Sequence, residues 1–341
     1  MRASEIFKDK RFGLGGVPFG NEFAYVTDER AHATLEAAWE AGVRYYDVAP
    51  WYGLGLAERR LGHFLHKQTR SEYRISSKVG KLLTASRDNN AKQYYPFTDS
   101  PNNLRYDYTA DGVKRSIEDS LQRLGIDALD VVFVHDLSPD NPWLPAPWEE
   151  LFEVARKGAF PALSKLRDEG TIKGWGLGVN SPEPILRLMD VADANVCLLA
   201  RQYSLIEHER ALHEVFPKAR ERGVEFVVGT SLNAGFLSGS ARYDYGKENY
   251  NIPPEVLRKR DALREVAASF GVDLRTAAMQ FSSTPDVAAA LIVGCSSPHQ
   301  ALANVTSMQT KIPQRFWDEL RARGLIEPDA PVPRESEPVL S

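Results

Sequence analysis

The strongest constraint on the fold of this chain is an alternation of short apolar runs and helical patterns that continues from end to end. Strand-like runs stand at 12–19, 43–48, 73–79, 129–135, 172–179, 196–203, 224–230 and 288–294. They are too apolar to offer a wet face, as expected of strands covered on both sides. The helical pattern over 28–41 follows Thr27 as N-cap, gathers Ala31, Leu35, Ala38 and Trp39 on one face, and stops at Gly42. The pattern over 111–124 gathers Val113, Ile117, Leu121 and Leu124 and stops at Gly125; those over 161–169 and 210–222 stop at Gly170 and Gly223. Glycine suits the left-handed position that ends a helix. Repeated strand–helix units predict an α/β fold with a parallel sheet. An open doubly wound sheet and a closed (β/α)8 TIM barrel compete. Eight strands in 341 residues favour the barrel, whose catalytic groups sit at the C-terminal strand ends.

Composition narrows the class. A net charge of −4 gives no reason to expect nucleic acid or an anionic membrane as partner. No run approaches the ~18 apolar residues of a membrane span, and the opening Met1-Arg2-Ala3-Ser4-Glu5 lacks a signal-peptide core. The two cysteines, Cys197 and Cys295, lie in apolar runs and read as buried free thiols, which fits a cytoplasmic setting. The expectation is a single domain over 1–341, with long loops at 80–109, 136–158 and 231–253. The tail 328–341 reads as mobile or as a partial cover for the barrel mouth. The first two loops carry Tyr94, Tyr95, Phe97, Tyr106, Tyr108, Trp143 and Trp148, aromatic faces suited to a sugar ring or another flat ligand. Exposed helices leave a homo-oligomer open.

Four residues carry the chemistry. Asp47, Lys78 and His135 close apolar runs, and Tyr52 lies five residues beyond Asp47. A tyrosine beside a lysine, with a carboxylate and a histidine nearby, can move a proton to or from a sugar-like oxygen. A phenol ionises near pH ~10, so a close ammonium is needed to make it a base at neutral pH. His63 and His66 share a helix face without a third ligand, so no metal is expected. Nothing near Cys295 in sequence activates it, and Arg201 reads equally as a ligand contact or a salt bridge.

The stretch Gly42-Val43-Arg44-Tyr45-Tyr46-Asp47-Val48-Ala49-Pro50-Trp51-Tyr52-Gly53, continuing into Ala57-Glu58-Arg59-Arg60-Leu61-Gly62, resembles the signature of the aldo-keto reductase superfamily. Lys78 and His135 stand where that family's remaining catalytic residues stand. The segments 12–21 and 229–235 are most similar to the D-threo-aldose 1-dehydrogenase, or L-fucose dehydrogenase, branch. The resemblance implies a TIM barrel of the aldo-keto reductase type that oxidises the anomeric hydroxyl of a free aldose to its lactone. It implies Asp47, Tyr52, Lys78 and His135 as catalytic residues, with Trp51, Tyr52 and His135 at the substrate. Alternatives are a pyridoxal 4-dehydrogenase-like or general aldehyde reductase activity and, outside enzymes, a nicotinamide-binding redox-sensing module. The partner expected is thus a small sugar, hemiacetal or aldehyde.

A nicotinamide is needed for the hydride. No Gly-x-Gly-x-x-Gly turn marks a Rossmann site. The resemblance implies instead an extended cofactor across the barrel face, held by Asn180, Gln202, Gly229, Ser231, Leu232, Gly294, Ser296, Gln300 and Asn304. Three departures stand out. Gly229 replaces an aromatic residue, Ala200 replaces a glutamine that recurs at Gln202, and Ser296, Ser297 and Gln300 supply no cation for a 2′-phosphate. The expectation is NAD, or both NAD and NADP.

Overall fold

A computed structural model describes residues 1–244 and 251–334. All eight expected strand segments form strands of one closed parallel barrel. In chain order the strands are β1 (Phe12–Gly15), β2 (Tyr45–Asp47), β3 (Arg74–Val79), β4 (Lys81–Ala85), β5 (Asn102–Tyr106), β6 (Val131–His135), β7 (Gly174–Val179), β8 (Val196–Ala200), β9 (Glu225–Gly229) and β10 (Ala288–Gly294). The barrel runs β1, β2, β3, β6, β7, β8, β9, β10 and closes back on β1. Helices cover its outside, as a parallel sheet requires. Thr27 caps the helix Asp28–Glu40 through a bond from the Arg30 amide, and Gly125 and Gly223 end their helices in the left-handed conformation.

Side chains fill the barrel. Tyr45, Val131, Phe133, Val196, Leu198, Val227 and Ile292 form the interior cluster. Ala3, Ile6 and Phe7 of an N-terminal turn close its lower end, where the Phe7 and Tyr45 ring centroids stand 4.5 Å apart. The Arg74 guanidinium donates to the Ile6 carbonyl and anchors that plug to the start of β3. At four residues, the plug helix Ala3–Ile6 is too short to leave a periodic signal in the sequence.

Several boundaries differ from expectation. The first strand stops at Gly15 because Pro18 cannot extend a ladder, and Val17–Gly20 forms a 3-10 turn. The run expected to reach residue 203 stops at Ala200, where Arg201 turns into the left-handed region at φ 69. The loop 80–109 is not irregular: β4 and β5 pair antiparallel within it, Lys81 opposite Tyr106 and Ala85 opposite Asn102. The loop 136–158 contains the helix Trp148–Lys157. The helix over 210–222 opens with a π turn, Ala211–Val215, just before Pro217, which has no amide proton to continue an α ladder. Of the loop 231–253, residues 245–250 lie outside the described residues. Of the tail, 328–334 packs on the outer wall, with Arg321 donating to the Ala330 carbonyl and Asp329 3.2 Å from His213, so this part does not cover the mouth. Residues 335–341 lie outside the described residues. No helix among the described residues is long and apolar enough to cross a membrane.

Candidate active site

The cleft at the C-terminal strand ends encloses about 870 Å³ and contains all four expected catalytic residues. Register brings its floor together. Asp47 ends β2 opposite Ser76 of β3, so its carboxylate faces the next strand. Ser76 Oγ donates to Asp47 Oδ1 at 2.7 Å, and Lys78 Nζ donates to Asp47 Oδ2 at 2.6 Å and to the Val48 carbonyl at 3.0 Å. Both side chains of this ion pair are almost fully buried. Such a pair is costly to desolvate and holds only when the remaining polar atoms are also satisfied, which Ser76 and Val48 do here.

Tyr52 sits above this pair. Lys78 Nζ is 4.7 Å from the Tyr52 ring centroid. The tyrosine belongs to a compact turn in which its amide donates to Ala49 O and its carbonyl accepts from Ala57 at the head of the next helix. Backbone packing presses the turn into place. A Cβ on Gly20 would lie 2.5 Å from Gly53 N, and Gly53 itself has φ +63, so neither site has room for a side chain. His135 meets the Tyr52 ring edge-on, with centroids 5.8 Å apart and planes at 86°. Burial, with Lys81 and Lys78 adding repulsion, pushes the His135 imidazole well below the usual histidine range, so it is neutral at physiological pH.

A second charged pair lies beside the first. Gly80, at φ +97, reverses the chain between Lys78 and Lys81, so both lysines enter the cleft. Lys81 is ion-paired with Asp136, and its ammonium stands 4.3 Å from the Trp51 ring centroid. Burial favours the neutral amine at Lys81, and Asp136 opposes it. Asp136 Oδ2 also lies 3.3 Å from His135 Nε2. Trp51 is walled by Tyr94 and Tyr95, each 5.2 Å away centroid to centroid, and Tyr94 meets Trp143 at 4.9 Å. These loop aromatics therefore shape the open end of the cleft. Glu22 lines the same wall, and burial pushes its carboxyl up to about 7 against the pull of Tyr95, Lys81 and Arg242.

The other arm of the cleft gathers most of the residues expected at the cofactor. Asn180, Gly229, Ser231, Leu232, Gly294, Ser296, Gln300 and Asn304 all line it. Ser231 Oγ is buried without a hydrogen-bond partner among the described residues, a polar atom left for a ligand. Ser297 caps the helix Pro298–Gln309, whose N-terminal end offers amides to phosphate. A Cβ at Gly229 would be in ordinary van der Waals contact with Leu198, Ala200 and Ile292, at 3.6–3.7 Å. Gln202 is the exception. It lies outside the lining, and its amide donates to the Asn180 carbonyl at 2.7 Å, so it braces Asn180 from behind. The Asn180 amide itself donates to Asp140 at 3.1 Å.

Other sequence candidates fall elsewhere. His63 of the outer helix Leu56–Leu65 and His66 at its C-cap lie 5.7 Å apart, centroid to centroid, with their rings tilted at 48°. Arg201 is paired with Asp244 at 2.8 Å on the cleft wall. Both cysteines are buried free thiols pushed up to about 12 by burial. Sequence reasoning missed Glu22, Lys81, Asp136 and Asp140. The available signals were a second lysine one glycine turn beyond Lys78 and a carboxylate directly after His135.

Glu22 yields a test of the cleft electrostatics. An unfolded carboxyl releases its proton near pH ~4.3, whereas the folded one holds it to about 7, so the folded state binds more protons in between. Wild-type stability should fall relative to Glu22→Gln as pH rises through that window, by up to about 3 kcal/mol. Urea denaturation at pH 5 and pH 8 checks it; a pH-independent difference contradicts it.

The sequence profile of the Aldo/keto reductase family matches residues 11–323. The chain is 36% identical to pyridoxal 4-dehydrogenase of Microbacterium luteolum over 332 residues, covering 92% of this chain and 94% of that one. It is 35% identical to D-threo-aldose 1-dehydrogenase of a Pseudomonas species over 323 residues, again 92% and 94%. An aldo-keto reductase of Bacillus halodurans, solved in its holo form, shares the fold with a TM-score of 0.68 at 24% identity, over 95% of this chain and 94% of that one. The barrel and the family match agree over nearly the whole chain, which belongs to the aldo/keto reductase family of nicotinamide-dependent oxidoreductases.

Proposed function

We propose that the chain oxidises the anomeric hydroxyl of a free aldose, of the L-fucose or D-threo type, to the lactone. The observation that carries this reading is the Tyr52 ring held between a buried ammonium and a neutral imidazole at the mouth of the barrel. Lys78 stabilises the phenolate of Tyr52 that takes the hydroxyl proton, and Asp47 fixes Lys78 in place. His135, being neutral, offers one N–H to the same oxygen and orients it. A bound nicotinamide supplies the hydride acceptor, which no side chain can. The similarity to the aldose dehydrogenase supports the sugar. The similarity to pyridoxal 4-dehydrogenase, together with the aromatic wall of Trp51, Tyr94 and Trp143, favours as a second reading a cyclic hemiacetal fused to a flat ring.

The coenzyme preferred under this reading is NAD. Ser296, Ser297 and Gln300 carry no charge, and Gln300 Oε1 is already taken by the Ser296 amide at 2.8 Å. Two arginines come near: Arg30 donates through Nε to the Ser296 carbonyl at 2.7 Å, and Arg275 is charge-paired with Asp273 at 2.9 Å while its own Nε has no partner among the described residues. A 2′-phosphate dianion would gain little there to offset its desolvation.

A panel of aldoses and pyridoxal, followed by nicotinamide absorbance, tests the activity. Tyr52→Phe is expected to lower kcat by at least a hundredfold while coenzyme still binds; retention of most activity would reject the role given to Tyr52. Comparing kcat/KM for the two coenzymes tests the preference, and a tenfold advantage for NADP would overturn it.

A further inference from the structure

The Lys81–Asp136 pair has features that a purely structural ion pair does not need. Asp136 adopts φ 46, a left-handed conformation uncommon for a side chain-bearing residue. Its carboxylate accepts from Lys81, approaches His135 Nε2 to 3.3 Å, and keeps about 20% of its side chain open to the cleft. Lys81 is almost fully buried, and among the described residues its ammonium donates one hydrogen bond, to Asp136. The faces of Trp51, at 4.3 Å, and Tyr106, at 5.9 Å, also border it, and Glu22 and Lys78 are close enough to act on its charge. An ammonium has three donors, so capacity remains on the side that faces the cavity. A donor and an acceptor therefore stand side by side, the acceptor 3.3 Å from the His135 imidazole.

We propose that Lys81 and Asp136 form a subsite for a hydroxyl on the carbon next to the reacting one, Asp136 accepting its proton and Lys81 donating to its oxygen. The inference rests on the aldose reading above, and it turns that reading into a rule. Hemiacetals bearing a vicinal hydroxyl are selected over those without one. A hydroxyl can serve as donor and acceptor at once, which matches such a pair; a hydrogen or methyl in its place would desolvate both charges without replacing their partner. Sites built around a hydroxyl reject analogues lacking it far more strongly than apolar pockets discriminate by size. The Trp51 face, 4.3 Å from the Lys81 ammonium, borders the subsite.

The test compares sugars that differ only at C2: L-fucose with 2-deoxy-L-fucose, and D-arabinose with 2-deoxy-D-ribose. With the wild-type enzyme, kcat/KM is expected to fall at least tenfold on loss of the C2 hydroxyl. In Asp136→Asn and in the double variant Lys81→Met/Asp136→Asn, which leaves no unpaired buried charge, the parent-to-deoxy ratio should collapse to threefold or less. Equal wild-type rates on parent and deoxy sugar overturn the subsite and leave the aldose reading intact, as does an undiminished ratio in folded variants. Lack of activity on every sugar alongside turnover of an aliphatic aldehyde would instead reject the aldose reading and the subsite with it. The wild-type comparison needs no variant, so a variant that fails to fold cannot protect the proposal.

Discussion

A buried ion pair between neighbouring strands sets the position of everything else in the cleft. Lys78 and Asp47 are held at 2.6 Å because β2 and β3 run in register, with Asp47 opposite Ser76 and Lys78 two residues on. Removing one partner of such a pair typically costs about 3–5 kcal/mol, since the other is left charged and dry. The barrel meets that demand with Ser76, whose hydroxyl also reaches Tyr45 at 2.9 Å in the packed interior. The link from core to chemistry is thus short: an interior tyrosine, a serine, a carboxylate, an ammonium and then the Tyr52 ring.

Charge is sorted within the cleft. Two lysines lie within one glycine turn of each other, yet each is matched by its own carboxylate, Asp47 or Asp136. Between them His135 is kept neutral by burial and by both ammonium groups. That sorting leaves a single proton on the imidazole. It also leaves a substrate-side wall of mixed polarity, in which Glu22, Asp136 and Lys81 face Trp51, Tyr94 and Tyr95. The other arm is different in kind: glycines, hydroxyls and amides, with Arg275 charge-paired to Asp273. The loops that make the wall are anchored by the barrel. Arg60, for example, reaches the Phe19 and Val26 carbonyls and Asn21, pinning the segment that carries Glu22.

Strand identity was legible because buried parallel strands leave continuous apolar runs, and the four chemical residues were legible because they end or follow those runs. The hairpin of β4 and β5 was not, since Lys81–Ala85 and Asn102–Tyr106 are only five residues each, the second mostly polar, and a long connection separates them. The Lys81–Asp136 pair was hidden for a related reason: its members are 55 residues apart and meet only once the barrel closes. Spacing places Gln202 toward the cleft, whereas Arg201 turns the backbone and the Gln202 amide donates to the Asn180 carbonyl. Spacing alone cannot register a single left-handed residue of that kind.

The claim on which the account stands is that an ammonium must lie beneath the Tyr52 ring. Measuring kcat of Lys78→Ala with and without added methylammonium tests it most directly. The account predicts a loss of at least a hundredfold that added amine partly restores, because a small cation can re-enter the space beside Asp47. Near-wild-type turnover in the variant, with no amine present, would contradict it.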